Sequence, residues 1–221
     1  MGRAGSIGVS IVHGIGINDA DYVLHTFEVL EDRLKCGRKK RRLTWACPYY
    51  KKWSAMIARC YSDAYQAKYP SYRGCIVCEE WLLFSSFRKW MVGQEWEGLQ
   101  LDKDLLLAGN KVYSPETCVF VPRRVNMFLT DCSAVRGNYL LGVSRNKNCS
   151  RFEARISVTT TGKSTYLGSY VTEEEAHLVW KERKHQYACD LANSKYVVDE
   201  RVADILRQRY KNYTVVEEHL K

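Results

Sequence analysis

The stretch LDKDLLLAGNKVYSPETCVFVPRRVN, from Leu101 to Asn126, sets a lysine, Lys103, between two carboxylates, Asp102 and Asp104. A cationic side chain so placed suits clamping a phosphate or stabilising charge that develops in a transition state. Base chemistry fits less well. A lysine works as a base near neutrality only if its pKa falls from about 10.4 to near 7, which costs about 4 kcal/mol, and neighbouring carboxylates oppose that fall. A carboxylate base at Asp104 would need burial to strengthen it. Histidine, the usual base at this pH, is missing locally: His13, His25, His177, His185 and His219 all lie outside residues 26–176. The alternative is a structural hairpin in which Asp102 and Asp104 pair with Lys111, Arg123 or Arg124.

A second constellation is Cys75-Ile-Val-Cys78, with Cys60 and Cys118 elsewhere in the same half of the chain. Four thiolates could hold a structural zinc. No turn-forming residue separates Cys75 from Cys78, however, and a short apolar strand would send the two thiols to opposite faces, so buried free thiols are expected and zinc is not. Nine cysteines in 221 residues fit reduced thiols in a cytosol.

The elements that must position these groups can be traced by periodicity. In DADYVLHTFEVLEDRL, Tyr22, Leu24, Phe27, Leu30 and Leu34 recur at roughly helical spacing, which predicts a short helix. KCGRKKRRL follows, and its basic run Arg38, Lys39, Lys40, Arg41 and Arg42 reads as a solvated loop, either a strap on phosphates or a charged turn. Trp53, Met56, Ile57 and Cys60 share one helical face, and Trp81, Phe84, Arg88 and Met91 define a second helix starting near Glu79, with its aromatics in the core.

Beyond Gly137 the texture changes to strand, turn, strand, Thr-Gly turn, strand and helix. In the middle strand Phe152, Ala154, Ile156 and Val158 alternate with Arg151, Glu153, Arg155 and Ser157, so one face is buried and the other solvated. Thr172 with Glu175 makes a capping box, and the helix behind it turns Ala176, Val179, Trp180 and Tyr187 towards the sheet. A last amphipathic helix runs through Val202, Ile205 and Leu206. The free face is expected to carry Arg151 and Arg155, joined by Arg145 and Lys163 from neighbouring strands and turns.

The formal net charge is +9, from 34 Lys+Arg against 25 Asp+Glu. That balance favours nucleic acid as a partner. No run of eighteen apolar residues occurs and the first residues lack the pattern of a signal peptide, so a soluble intracellular protein without membrane contact is expected.

GVSRNKNCSRFEARISVTTTGKSTYLGSYVTEEEAHLVW resembles the ethylene-response-factor (Apetala-type) DNA-binding domain. The likeness rests on the Gly-Val start, on Phe152, Ala154 and Ile156, on Leu167, Gly168 and Tyr170, and on the Thr-x-x-Glu-Ala helix entry. It departs at Phe152, where the family more usually has Trp, and at Ser144, where it often has an arginine. CPYYKKWSAMIARCYS, GCIVCEEWLLFSSFRKWM and LDKDLLLAGNKVYSPETCVFVP, followed by that module, resemble bacteriophage homing-endonuclease-like proteins of the His-Asn-His type.

The resemblance implies an α+β protein. A degenerate ββα-metal module with helical wrapping spans residues 45–135, after an N-terminal segment with its basic strap at 1–44. A three-stranded antiparallel sheet packed on one helix follows at 136–195, then a C-terminal helix at 196–221. Residue by residue, it sets Asp102 and Asn126 as ligands of a divalent cation, magnesium or manganese, with Lys103 at the general-base histidine and Thr117 at the bracing asparagine. The function it implies is a DNA endonuclease acting on double-stranded DNA in the cytoplasm of an infected bacterial host. The rival is a catalytically silent DNA-binding or regulatory protein on the same scaffold; a weaker third reading has the strap and first module bind another protein or RNA.

Overall fold

The structure is a computed structural model and describes residues 3–4, 8–34, 36–130, 138–157 and 164–211. It is a mixed α+β protein of small sheets and helices that divides into two compact units, Met1–Glu97 with Leu101–Phe120, and Gly98–Gln100 with Val121–Lys221. Among the described residues no helix is long and apolar enough to cross a membrane.

In the first unit β1 (Arg3–Ala4) joins β4 (His25–Arg33) and β5 (Lys39–Ala46) in a sheet of order β1-β4-β5, while β2 (Ser10–Val12) and β3 (Gly16–Asn18) form a separate hairpin. The helix expected over residues 19–34 is therefore largely strand. Its apolar positions mimic helical spacing, but Tyr22, Leu24, Phe27 and Leu30 are only half-buried and Leu34 is exposed, so no core face exists to reward a helix. The basic run expected as a loop likewise lies mostly in β5, where β4 satisfies its backbone and the charged side chains stay in water.

The core of this unit comes from α1 (Pro48–Tyr61) and α3 (Phe84–Val92). Pro48 opens α1, where a missing N–H costs nothing. Trp53, Met56 and Ile57 are fully buried on its inner face, as expected. The Trp53 indole donates to the Trp81 carbonyl at 2.8 Å, and aromatic contacts run from Trp53 to Phe84 at 5.5 Å and from Trp81 to Trp90 at 4.5 Å. The second helix begins at Phe84 after a 3-10 turn over Glu79–Leu82, and Phe87, not Arg88, faces inwards. A short α2 (Asp63–Lys68) follows α1. Within this unit β6 (Ile76–Val77) runs parallel to β8 (Val112–Tyr113); a further short pair joins β7 (Gln100–Asp102) and β9 (Val119–Val121).

The second unit begins with α4 (Arg123–Leu129). Three antiparallel strands follow, β10 (Val143–Arg145), β11 (Phe152–Ser157) and β12 (Ser164–Tyr170), backed by α5 (Glu173–Ala192). Ala154 and Ile156 are buried beneath α5, and the Thr172–Glu175 capping box is formed in both directions. Val158 and Lys163 lie outside the described residues. Inwards on α5 the structure places Ala176, Trp180 and Ala188, together with two polar residues whose burial the periodicity did not reveal, His177 and Lys184; Tyr187 is half-buried. His177 Nδ1 bonds the Leu141 carbonyl at 2.9 Å, and the Lys184 ammonium donates to the Phe128 carbonyl at 2.7 Å. The last helix, α6 (Glu200–Arg209), packs on α5 through Val202, Ala203 and Leu206, with Ile205 half-buried.

Gly142 is where strand and helix meet most tightly. Its φ of +76° suits glycine, and a Cβ there would lie 1.9 Å from Trp180 Cδ1. Gly142→Ala is expected to cost at least about 2 kcal/mol of stability in urea unfolding, from overpacking and backbone strain together; an unchanged midpoint would contradict this packing.

Candidate nucleic-acid interface

Asp102 ends β7 and turns its carboxylate back on its own chain, where Oδ1 accepts from the amides of Asp104 at 3.0 Å and Leu105 at 2.7 Å. This is an Asx turn that shapes the loop. Burial raises the Asp102 pKa above the usual carboxylate range, the Asp104 carboxylate raises it further, and the two amides pull it partly back.

Lys103 is 6% exposed, and its ammonium donates to Asp104 Oδ2 and to the Asn110 carbonyl, both at 3.0 Å. Asn110 returns the contact, donating to the carbonyls of Lys103 and Val112 while accepting from the Val112 amide. The pair closes residues 103–110 into a loop, with the lysine stem inside. Sequence reasoning missed Asn110, although Gly109-Asn110 is a turn dipeptide that could have flagged it. Thr117 braces the next turn, donating to the Val112 carbonyl at 2.8 Å and sharing a hydrogen bond with Ser114.

Asp102, Lys103 and Asp104 thus share one loop of the first unit. Asn126 sits on α4 in the second and donates to the Gln100 side chain at 3.0 Å. The ion pairs of the structural-hairpin alternative take a different form among the described residues. Asp104 pairs with Lys103, while Lys111 donates to the Ser71 carbonyl and the Arg124 guanidinium stacks 3.4 Å above the Tyr196 ring.

Among the described residues no three His, Cys, Asp or Glu side chains converge as a metal site. Cys60, Cys75 and Cys118 are buried, and Cys78 is half-buried. Burial pushes the Cys60 and Cys118 thiols up to about 12.

The sheet of the second unit presents the larger polar surface. Phe152, Ala154 and Ile156 face α5, while Arg151, Arg155 and Ser157 are exposed on the other side. The Arg155 guanidinium is held by Glu153 at 3.1 Å and lies 5.2 Å from the centre of the Tyr166 ring, its cross-strand partner; Arg151 donates to the Ser169 carbonyl at 3.0 Å. Arg145 does not join this face. It is paired with Phe152 across the strands, which puts it on the opposite side at the sheet's end, where with Lys147 and Tyr139 it lines a cleft of about 580 Å³. Ser144, opposite Glu153, takes the place on the free face. In the first unit Arg38, Lys39, Lys40, Arg41 and Arg42 are all exposed.

Comparison of the chain with family models, curated proteins and solved structures gives no match.

Because the folded Asp102 holds its proton to higher pH than the unfolded one, the native state loses stability as pH rises from the ordinary carboxylate range, about 4, through the raised value. Asp102→Asn keeps an acceptor for the two amides and removes the charge. It is expected to raise the urea midpoint at pH 7, with the gain vanishing as pH falls below about 4; a lower midpoint at pH 7 would contradict this.

Proposed function

We propose that this protein binds double-stranded DNA by laying the exposed face of β10, β11 and β12 against the duplex. The observation that carries the reading is the pairing of Arg155 with Tyr166 on the side of the sheet away from α5, next to Arg151. A sheet edge of this width enters the major groove, where arginine donates to guanine edges or phosphates. Glu153 and Tyr166 restrain the Arg155 side chain, so less side-chain entropy is lost on contact. The serines at 144, 157 and 164 add small donors that let a duplex approach closely. The net charge of +9 supplies the sequence-independent attraction.

This reading agrees with the Apetala-type resemblance of the same segment. The bacteriophage likeness of the rest would set the protein in an infected host's cytoplasm. Under the DNA-binding reading the Asp102 loop is a scaffold, because the Lys103 ammonium already serves Asp104 and Asn110 and no histidine is near in sequence.

One observation favours a second reading, a divalent-ion-dependent endonuclease. Asp102 and Asp104 are like charges close enough to raise a pKa, and a cation would relieve their repulsion. Within the first unit its ligand would be Asp102, as the resemblance implies.

Arg151→Ala with Arg155→Ala is expected to weaken duplex binding and to lower the slope of log affinity against log salt by about one for Arg151 and by less for Arg155, whose charge Glu153 already offsets; unchanged affinity and slope would remove the sheet from the interface. Supercoiled plasmid with magnesium or manganese is expected to stay intact with wild type and Asp102→Ala alike. Nicking by wild type that disappears in the variant would establish the second reading.

A further inference from the structure

The ribbon of β4 and β5 has two chemically different faces. β5 is exposed along its whole length up to Trp45, so its side chains do not serve the core. Alternation along the strand divides the basic residues. Lys40 and Arg42 point to one side, where Lys40 is 3.3 Å from Asp32 and Arg42 pairs with Glu28 across the ribbon. That face is neutralised by the ribbon itself. Lys39 and Arg41 point to the other side, and among the described residues neither has a carboxylate within ion-pair distance. There they stand beside Val29, the cross-strand partner of Arg41, and Leu43, which are 41% and 53% exposed. Arg38, in the turn before β5, adds a third exposed cation.

Among the described residues β1 pairs only with Thr26 and Phe27, so the part of the ribbon that carries Lys39 and Arg41 is two-stranded, and a two-stranded ribbon without a covered face is marginal in water. Exposed apolar side chains beside unneutralised cations mark a surface that suits a partner. The required partner is anionic and offers both repeated charges for Arg38, Lys39 and Arg41 and apolar surface for Val29 and Leu43. Duplex DNA meets both requirements, with phosphates along the groove rims and thymine methyl groups inside, and its major groove admits a two-stranded ribbon.

We infer that the Lys39/Arg41 face of this ribbon is a second DNA-contacting surface, in the first unit and separate from the sheet in the second. The inference rests on the reading that the protein binds duplex DNA. It differs from a general charge effect in being confined to one face. Among the described residues no carboxylate pairs with the cations of that face, whereas Lys40 and Arg42 each have one.

Two charge-matched variants of the full chain separate these possibilities: Lys39→Gln with Arg41→Gln, and Lys40→Gln with Arg42→Gln. Each removes two positive charges at exposed positions, and circular dichroism melts verify that both remain folded. Duplex affinity is measured from low to moderate salt. The Lys39/Arg41 variant is expected to lose about 1.8 from the salt slope, at about 0.9 per phosphate contact, and the Lys40/Arg42 variant well under half of that. If wild type binds and both variants fall equally, or neither falls, the ribbon proposal is overturned while the sheet reading stands. If wild type does not bind duplex DNA, both fail together.

Discussion

The packing of α5 against one side of β11 is the constraint on which the proposed interface depends. Ala154 and Ile156 are almost wholly buried there, and Gly142 leaves room for the Trp180 ring that no other residue would leave. With the strand period fixed at two, burying these residues forces Arg155 and Ser157 into solvent. A register slip of one residue would exchange the two sets, burying a guanidinium without a partner at a cost of several kcal/mol. The capping box at Thr172 fixes where α5 starts, and the His177 bond to the Leu141 carbonyl ties the helix to the segment entering β10. The basic face is thus a consequence of how the other face is buried.

A similar economy governs the Asp102 loop. Asp102 holds the amides of Asp104 and Leu105, Lys103 holds Asp104 and Asn110, and Asn110 holds Lys103 and Val112. Every strongly polar group that the sequence offered for chemistry has a bond that shapes the chain. Such networks resist reassignment, because freeing one member leaves another buried without a partner. That resistance favours the scaffold role over a catalytic one.

The parts of the fold that were readable in the sequence are those where local pattern and global burial agree. Strict alternation in Phe152–Ser157 with a capping box at Thr172 identified the sheet and helix, and the Trp53, Met56, Ile57 face identified α1. Residues 25–34 misled because their apolar spacing fits a helix, while the partner that makes them a strand, β5, begins only at Lys39. Arg145 was placed on the wrong face because cross-strand register is not visible in one strand. Lys103, His177 and Lys184 are polar residues whose burial depends on carbonyls of Asn110, Leu141 and Phe128, contacts that no periodicity encodes.

The central claim is that duplex DNA lies on the side of the second unit's sheet away from α5. Backbone amide shifts of the full chain, followed as a short duplex is added, test this most directly. The largest shifts are expected at Ser144, Glu153, Arg155 and Tyr166, with the amides of Ala176 and Trp180 on α5 little affected. Shifts concentrated on α5, or tumbling slowed by the duplex with β10 to β12 unperturbed, would contradict it.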